Sequence, residues 1–482
     1  MTLLIASLPI VGSTLAILIF RQSALRAGLF GLLLACFIVL LWPAFRLDIA
    51  SGSMAVLAGL YNTLNVSYVL LGGVLLFQVL KAGGALDTIA RAVAGAITGP
   101  HHSLLAIVFG VSVFFESATG FGVGIVVVAP LFLALGYKPL QAAMLALLGQ
   151  CAVPWGALAV GTVLGADLSG ISEERLAEIA VLLGYPYLLL CGIFALVTSG
   201  LWRWHVSVLS WLLLYTLVLS ASLWIASTAI GVELAGCVAG LVVVLMAVAI
   251  NWARRRRDRV AGLVAAVTPF VVLMLTLFAT RFIAPLSNML KTQTLQLGDH
   301  SLAVFYHPGF WLVVAACSGL LCLPQSRAHV STISRDSARQ WWLATLAVGG
   351  FLVFGQLMNA AGMTQLIAQA VIGAAGAHYA LVVPFIGGLG GFLTASNAAS
   401  NALFMTLQTH AATQAGLPVD VIAGAQNAAG SNSSMASPGR LVFAATVAGT
   451  PGAEAALLRR ILPVAILGVA SLALMSLLYL QG

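Results

Sequence analysis

Glu116 lies in "FFESATGFGVGIVVVAP" (Phe114–Pro130), a Gly-rich polar turn between apolar runs of only half-span length. An acid at the centre of a bilayer costs about 2.5–3.5 kcal/mol on insertion scales, so it usually marks the path of an ion or proton. A carboxyl there can take and release a proton, and Glu116 is read as a proton carrier. The plainer reading is a carboxylate that caps a broken helix at Ser117–Gly120. Ser117, Thr119 and Gly120 of the same turn join it as candidate site residues.

A second polar turn, "GGFLTASNAASNALF" (Gly390–Phe404), holds Thr394, Ser396, Asn397, Ser400 and Asn401. Positions 396 and 400, and 397 and 401, are four apart, so each pair shares a helix face. Their hydroxyls and amides suit a carboxylate with a neighbouring hydroxyl, and a helix starting there offers free N–H groups to an anion. Packing between close helices is the competing use of such small polar residues, and the better one for Ala398, Ala399 and Ala402. A third cluster, "QNAAGSNSSMASPGR" (Gln426–Arg440), adds Gln426, Asn427, Asn432 and Ser437. Gln150, shortly before Pro154, is its counterpart earlier in the chain. Arg440 is the cation placed to hold a carboxylate through two parallel hydrogen bonds; its alternative is a snorkelling Arg at a span end.

The elements that must position these residues are membrane helices. The chain has 482 residues, of which 61% are hydrophobic and 7% charged, with a mean hydropathy of +1.08. A soluble domain carries about 25% charged residues. The useful ruler is therefore about 20 apolar residues per span, and the expected fold is an all-α polytopic membrane protein of roughly 12–14 spans. The net charge of +8 is assigned to loops on the cytoplasmic side, not to nucleic-acid binding. The N-terminal apolar stretch reads as a first span and not as a removable signal.

Residues 1–250 are read as an N-terminal transmembrane half, 251–261 as a basic cytoplasmic loop, and 262–482 as a C-terminal half. Arg21/Arg26, Arg254–Arg259 and Arg327/Arg335/Arg339 all fall in the cytoplasm if the N-terminus is outside. Each half runs from a broken polar turn through an apolar stretch and a Gly/Pro loop to a helix that ends in a polar, Pro-containing break. Paired interrupted helices in corresponding places point to a secondary-transporter binding site, and in lipid such breaks survive only where buried in protein or lining a wet cavity. Leu140–Leu164 is expected to be one span. Lys138 and Arg281 are read as interfacial anchors, Glu233 as a carboxylate at a helix N-terminus, and His101, His102 and His205 as loop or interface residues.

Four blocks carry a family resemblance: "FFESATGFG" (Phe114–Gly122), "GYKPLQAA" (Gly136–Ala143), "GFLTASNAASNALF" (Gly391–Phe404) and "QNAAGSNSSMASPGRLVFAAT" (Gln426–Thr446). At these residues the chain resembles the L-lactate permease family of proton-coupled lactate and glycolate importers. It departs from the family's usual pattern where Ser433 and Ser434 precede Met435 in place of a Lys, and at Ala395–Ser396–Asn397 in place of Gly-Ser-Asp. The resemblance implies a multi-pass inner-membrane protein that imports a small 2-hydroxy monocarboxylate by proton symport. Its partners would be the carboxylate, protons and the lipid bilayer, with a homo-oligomer as an option. A sodium-coupled carrier of another acid is the alternative, and a membrane-embedded enzyme the remote one. No cofactor or metal is expected.

Overall fold

The computed structural model describes residues 1–250, 260–298 and 300–481. The basic stretch Arg254–Arg259 lies outside the described residues. In chain order come α1 (Thr2–Leu18), α2 (Ala24–Leu41), the long α3 (Ile49–Ala82), the amphipathic α4 (Ala85–Ala96), α5 (Pro100–Ala106) and α6 (Ser112–Thr119). They are followed by α7 (Val123–Ala134), α8 (Pro139–Leu148), α9 (Gly156–Ser169), α10 (Glu173–Ser199), α11 (Val206–Ala229) and α12 (Val232–Ile250). Next are α13 (Leu263–Phe282), α14 (Ala284–Lys291), a hairpin of β1 (Thr294–Leu297) and β2 (His300–Ala303), α15 (Pro308–Cys322) and the single turn α16 (Pro324–Arg327). The chain closes with α17 (Val330–Ala360), α18 (Met363–Ala375), α19 (Tyr379–Thr394), α20 (Asn397–Ala415), α21 (Val419–Ser433), α22 (Pro438–Val447) and α23 (Glu454–Gln481).

The protein is a multi-pass, all-α membrane protein. Among the described residues nine helices are long and apolar enough to cross a bilayer, or ten if a bent pair counts as one. Five shorter apolar helices accompany them. That bent pair falls in the segment expected as one span, Leu140–Leu164: α8 and the following 153–169 segment meet at 69°. Pro154 and Gly156 interrupt the run, since Pro supplies no N–H and disfavours helix just before itself.

The order of elements recurs. A long helix (α3, α17), an amphipathic one (α4, α18) and a helix ending at a polar break (α6, α19) lead each series. Each then continues with α7 or α20, then α8 or α21, a 3₁₀ turn (Val153–Trp155 or Ser434–Ala436), α9 or α22, and finally α10 or α23. Corresponding helices run in opposite directions. Along α3, Gly59, Thr63 and Ser67 meet Val353, Gly349 and Thr345 of α17, ascending against descending. The two series are inverted repeats, which suit a site at the midplane between them.

Close crossings hold the series together. A methyl on Gly391 of α19 would sit 1.8 Å from the Gly430 carbonyl of α21, and one on Gly240 of α12 would sit 2.6 Å from the Phe114 nitrogen. Without a hydrophobic drive between helices in lipid, such backbone contact supplies the packing attraction. Two polar ties mark opposite faces of the molecule. On one, Arg175 at the start of α10 pairs with Asp420 at the start of α21 (2.8 Å) and donates to Tyr479 near the end of α23 (3.3 Å). On the other, Gln141 at the start of α8 donates to the Thr198 carbonyl at the end of α10 (2.9 Å).

Candidate functional site

The broken helices meet around a cavity of about 240 Å³, closed on its other side by Ala24, Leu70, Ala347 and Val348 of α2, α3 and α17. Of the residues singled out in the sequence, Glu116, Gly120, Thr394, Ser396, Asn397 and Arg440 line it.

Glu116 reaches the cavity from the last turn of α6. The chain then turns at Gly120 (φ +72°, ψ −155°), a conformation essentially reserved for glycine, before α7 starts after Gly122. Three consecutive residues with positive φ, Gly120, Phe121 and Gly122, fold the α7 N-terminus back onto the Glu116 carboxylate. That carboxylate accepts from the Gly122 N–H at 3.3 Å and the Gly124 N–H at 3.4 Å. The capping reading of Glu116 is thus realised, although across the break, on α7. The same Oε1 faces Arg440 Nη2 at 3.4 Å, with Glu116 buried and Arg440 largely so. Arg440 enters from the first turn of α22, capped by Ser437 Oγ, which accepts from its N–H at 3.4 Å. Its second guanidinium nitrogen donates to Gln150 Oε1. Three residues chosen separately in the sequence, 116, 150 and 440, therefore form one cluster.

A second, uncharged layer stands behind the cavity. Asn427 Oδ1 accepts from the amides of Asn397 and Asn401, both at 2.9 Å, and Asn427 Nδ2 donates to Thr162 Oγ1 at 3.0 Å. Asn401 also donates to the Gly161 carbonyl at 2.9 Å. Gln426 donates to Ser400 Oγ at 3.3 Å and accepts from Gln408 at 3.1 Å, and Gln408 accepts from Tyr379. Such neutral networks fix geometry without a permanent buried charge. Asn397 Oδ1 is left buried without a hydrogen-bond partner.

Other nominated residues are either paired within their own helices or face away from the cavity. The Thr119 and Thr394 hydroxyls donate back to the Phe115 and Gly390 carbonyls at 2.8 Å each, and Ser396 Oγ caps α20 by accepting from the Ala399 N–H at 3.3 Å. Ser117 faces Gly236 of α12, away from the cavity. The Asn432 backbone carbonyl accepts from Tyr187 at 3.1 Å, while its side-chain Oδ1 has no hydrogen-bond partner among the described residues. Thr162, Gln408 and Tyr379 escaped the sequence reading. The available signal was a lone Thr in "GALAVGTVLG" and a lone Gln in "LFMTLQ", each a polar group that an apolar helix must pair.

Arg281 is not an interfacial anchor. It is largely buried, pairs with Glu233 at 2.7 Å and lies over the Tyr306 ring at 4.0 Å. Glu233 is in the first turn of α12, as expected. His101 and His102 lie in the first turn of α5 and not in a loop, and bond the Leu201 carbonyl and the Tyr215 hydroxyl at 3.3 Å each.

Comparison with known proteins matches the L-lactate permease family model over residues 2–297 and 270–480. The chain belongs to the L-lactate permease family. Among curated members, the L-lactate permease of Halalkalibacterium halodurans is 25% identical over 495 aligned residues, covering 94% of this chain and 92% of the relative. The L-lactate permease of Escherichia coli K12 is 24% identical over 511 residues (95% and 92%). The glycolate permease GlcA of the same strain is 25% identical over 518 residues (95% and 91%). The family resemblance of the four polar blocks is therefore upheld over nearly the whole chain.

Proposed function

We propose that this protein imports lactate or glycolate together with a proton, and that the Glu116–Arg440 pair couples the two. The observation that carries the reading is the pair itself: a buried acid and a largely buried cation 3.4 Å apart on the wall of the cavity. With Glu116 ionised, Arg440 already holds a carboxylate. Protonation of Glu116 removes that counter-charge, and the guanidinium becomes free for the carboxylate of the substrate. Proton and acid then enter as an electroneutral set. Each pH unit of gradient is worth about 1.36 kcal/mol to uptake. The backbone N–H groups of Gly122 and Gly124 keep Glu116 in place through the exchange.

The unpartnered Asn397 Oδ1 supplies an acceptor for the 2-hydroxyl of the substrate. The relatives are lactate and glycolate permeases, and both acids carry that hydroxyl. Alternation of spans places Lys81, Arg203 and Arg327 on the face shared by Arg21 and Arg26. The positive-inside rule makes that face cytoplasmic and puts the N-terminus outside the inner membrane.

Uptake of labelled lactate and glycolate into proteoliposomes tests the reading, with an imposed proton gradient compared against a sodium gradient for the wild type and Glu116→Gln. Proton-driven uptake that is lost in the variant is expected. Uptake driven only by sodium, or uptake of neither acid, refutes it.

A further inference from the structure

A second cavity, of about 260 Å³, lies toward the other face of the membrane, next to the hairpin residues Ser301–Ala303. It is lined by Asn65, Asp167, Glu173, Glu233 and Arg281. Its relation to the first cavity is close. Val160 lines both, Ala157 lines only the first and Leu158 only the second. On α3, Leu70 faces the first cavity and its neighbour Val69 the second. The partition is therefore the short Ala157–Val160 segment of α9. Its first three residues carry φ of +49°, +50° and +57°, a left-handed turn that interrupts the wall.

The chemistry of the first cavity recurs in the second. Arg281 Nη2 meets Glu233 Oε1 at 2.7 Å, and the guanidinium also donates to the Tyr306 carbonyl at 3.4 Å. Asp167 and Glu173 make no ion pair among the described residues. Three carboxyls thus share the cavity with one guanidinium. A proton taken up by Glu233 frees Arg281 and offsets the charge of one entering carboxylate.

We infer that this cavity is a second carboxylate-binding station, the outward half of the solute's path, in which Arg281 takes the substrate carboxylate in place of Glu233. The inference rests on the transport reading above and adds a site to it. The test uses the full-length Asn65→Cys protein in right-side-out vesicles, with the wild type as the background for the native thiols. An external, membrane-impermeant methanethiosulfonate is expected to label Cys only in the variant and to stop uptake. Saturating lactate should slow labelling at least fivefold. In parallel, the charge-balanced Arg281→Gln/Glu233→Gln double variant should take up lactate with KM raised about tenfold and maximal rate within about twofold. Labelling that lactate does not slow, or a double variant with unchanged KM, overturns the station. Uptake by unlabelled Asn65→Cys reports on the transport reading separately.

Discussion

The two cavities hold the same pair of groups at different tension. In the first, Glu116 and Arg440 stand 3.4 Å apart and each has other partners, two backbone N–H groups for the acid and Gln150 for the cation. In the second, Glu233 and Arg281 touch at 2.7 Å, with the Tyr306 ring stacked against the guanidinium. The side chains are similarly buried, 4–11% exposed in the first pair and 12–16% in the second, so solvent does not explain the difference. At an effective dielectric of about 20, closing 3.4 Å to 2.7 Å strengthens a charge pair by about 1 kcal/mol. The looser pair is the one more readily opened to another anion, and its acid has two backbone N–H partners besides the cation. The tighter pair suits a site that is visited and left.

The largest effect expected from breaking this contrast is at Arg440. Arg440→Ala leaves Glu116 buried without its counter-charge, a loss of about 3–5 kcal/mol in stability. Uptake should fall below detection. Adding Glu116→Gln should restore most of the thermal stability and none of the transport. If the single variant melts like the wild type, the pair is not what holds the first cavity together.

Gly120 comes next. A methyl group there would lie 2.6 Å from the Ala157 Cβ, in a backbone conformation that other residues avoid. Gly120→Ala is expected to cost about 1–3 kcal/mol and to reduce uptake at least tenfold. Gly136 also has positive φ (+89°) but nothing within 4 Å of an added methyl, so Gly136→Ala separates backbone strain from the clash. Equal losses in the two variants would remove the role given to the Gly120–Ala157 contact.

A smaller change is expected at Asn397. Replacing it with Ala removes the free acceptor, and a buried hydrogen bond is worth about 1–3 kcal/mol when one partner is left unpaired. Competition by propionate, which lacks the 2-hydroxyl, should become roughly tenfold more effective relative to lactate. A preference that survives intact would move the hydroxyl contact elsewhere.

The smallest effect on uptake belongs to His307 beside the second cavity. Burial, reinforced by the Arg281 charge, holds its pKa down at about 4. The folded protein keeps the ring neutral while the unfolded chain takes up a proton below about 6.5. Stability should therefore decline as pH falls from about 6.5 toward 4, and His307→Gln should flatten that decline in a thermal melt. A wild-type curve already flat over this range would show that His307 is freely protonated.

The sequence was most informative about single residues with a cost. Glu116 and Arg440 stood out because charge is expensive in lipid, and the polar turns because an apolar chain has no other reason to carry them. Their meeting was not legible: 324 positions separate them, and only the packing of α22 onto α7 and α8 brings Arg440 to Glu116. Arg281 was misjudged for the same reason, since a cation at a span end looks alike whether it faces headgroups or a carboxylate 48 positions away. The amphipathic α4 and α18 were passed over because Ala-rich helices of 12 and 13 residues are too short for a span and carry little charge. The left-handed turn at 157–159 had no signal at all, because Ala and Leu ordinarily favour a right-handed helix.

The inverted pairing of α3 and α17 also bears on how such a molecule changes shape. After the 3₁₀ turns, residues 157–159 of one series occupy the place that 438–440 occupy in the other, and only the first set is left-handed. Two copies of one motif therefore display two backbone shapes in a single chain, one coiled against its grain and one relaxed. Each is a template for what its counterpart can become. Were they to trade conformations, the wall between the two cavities would become ordinary helix, and residues 438–440 would leave the helical conformation that now carries Arg440.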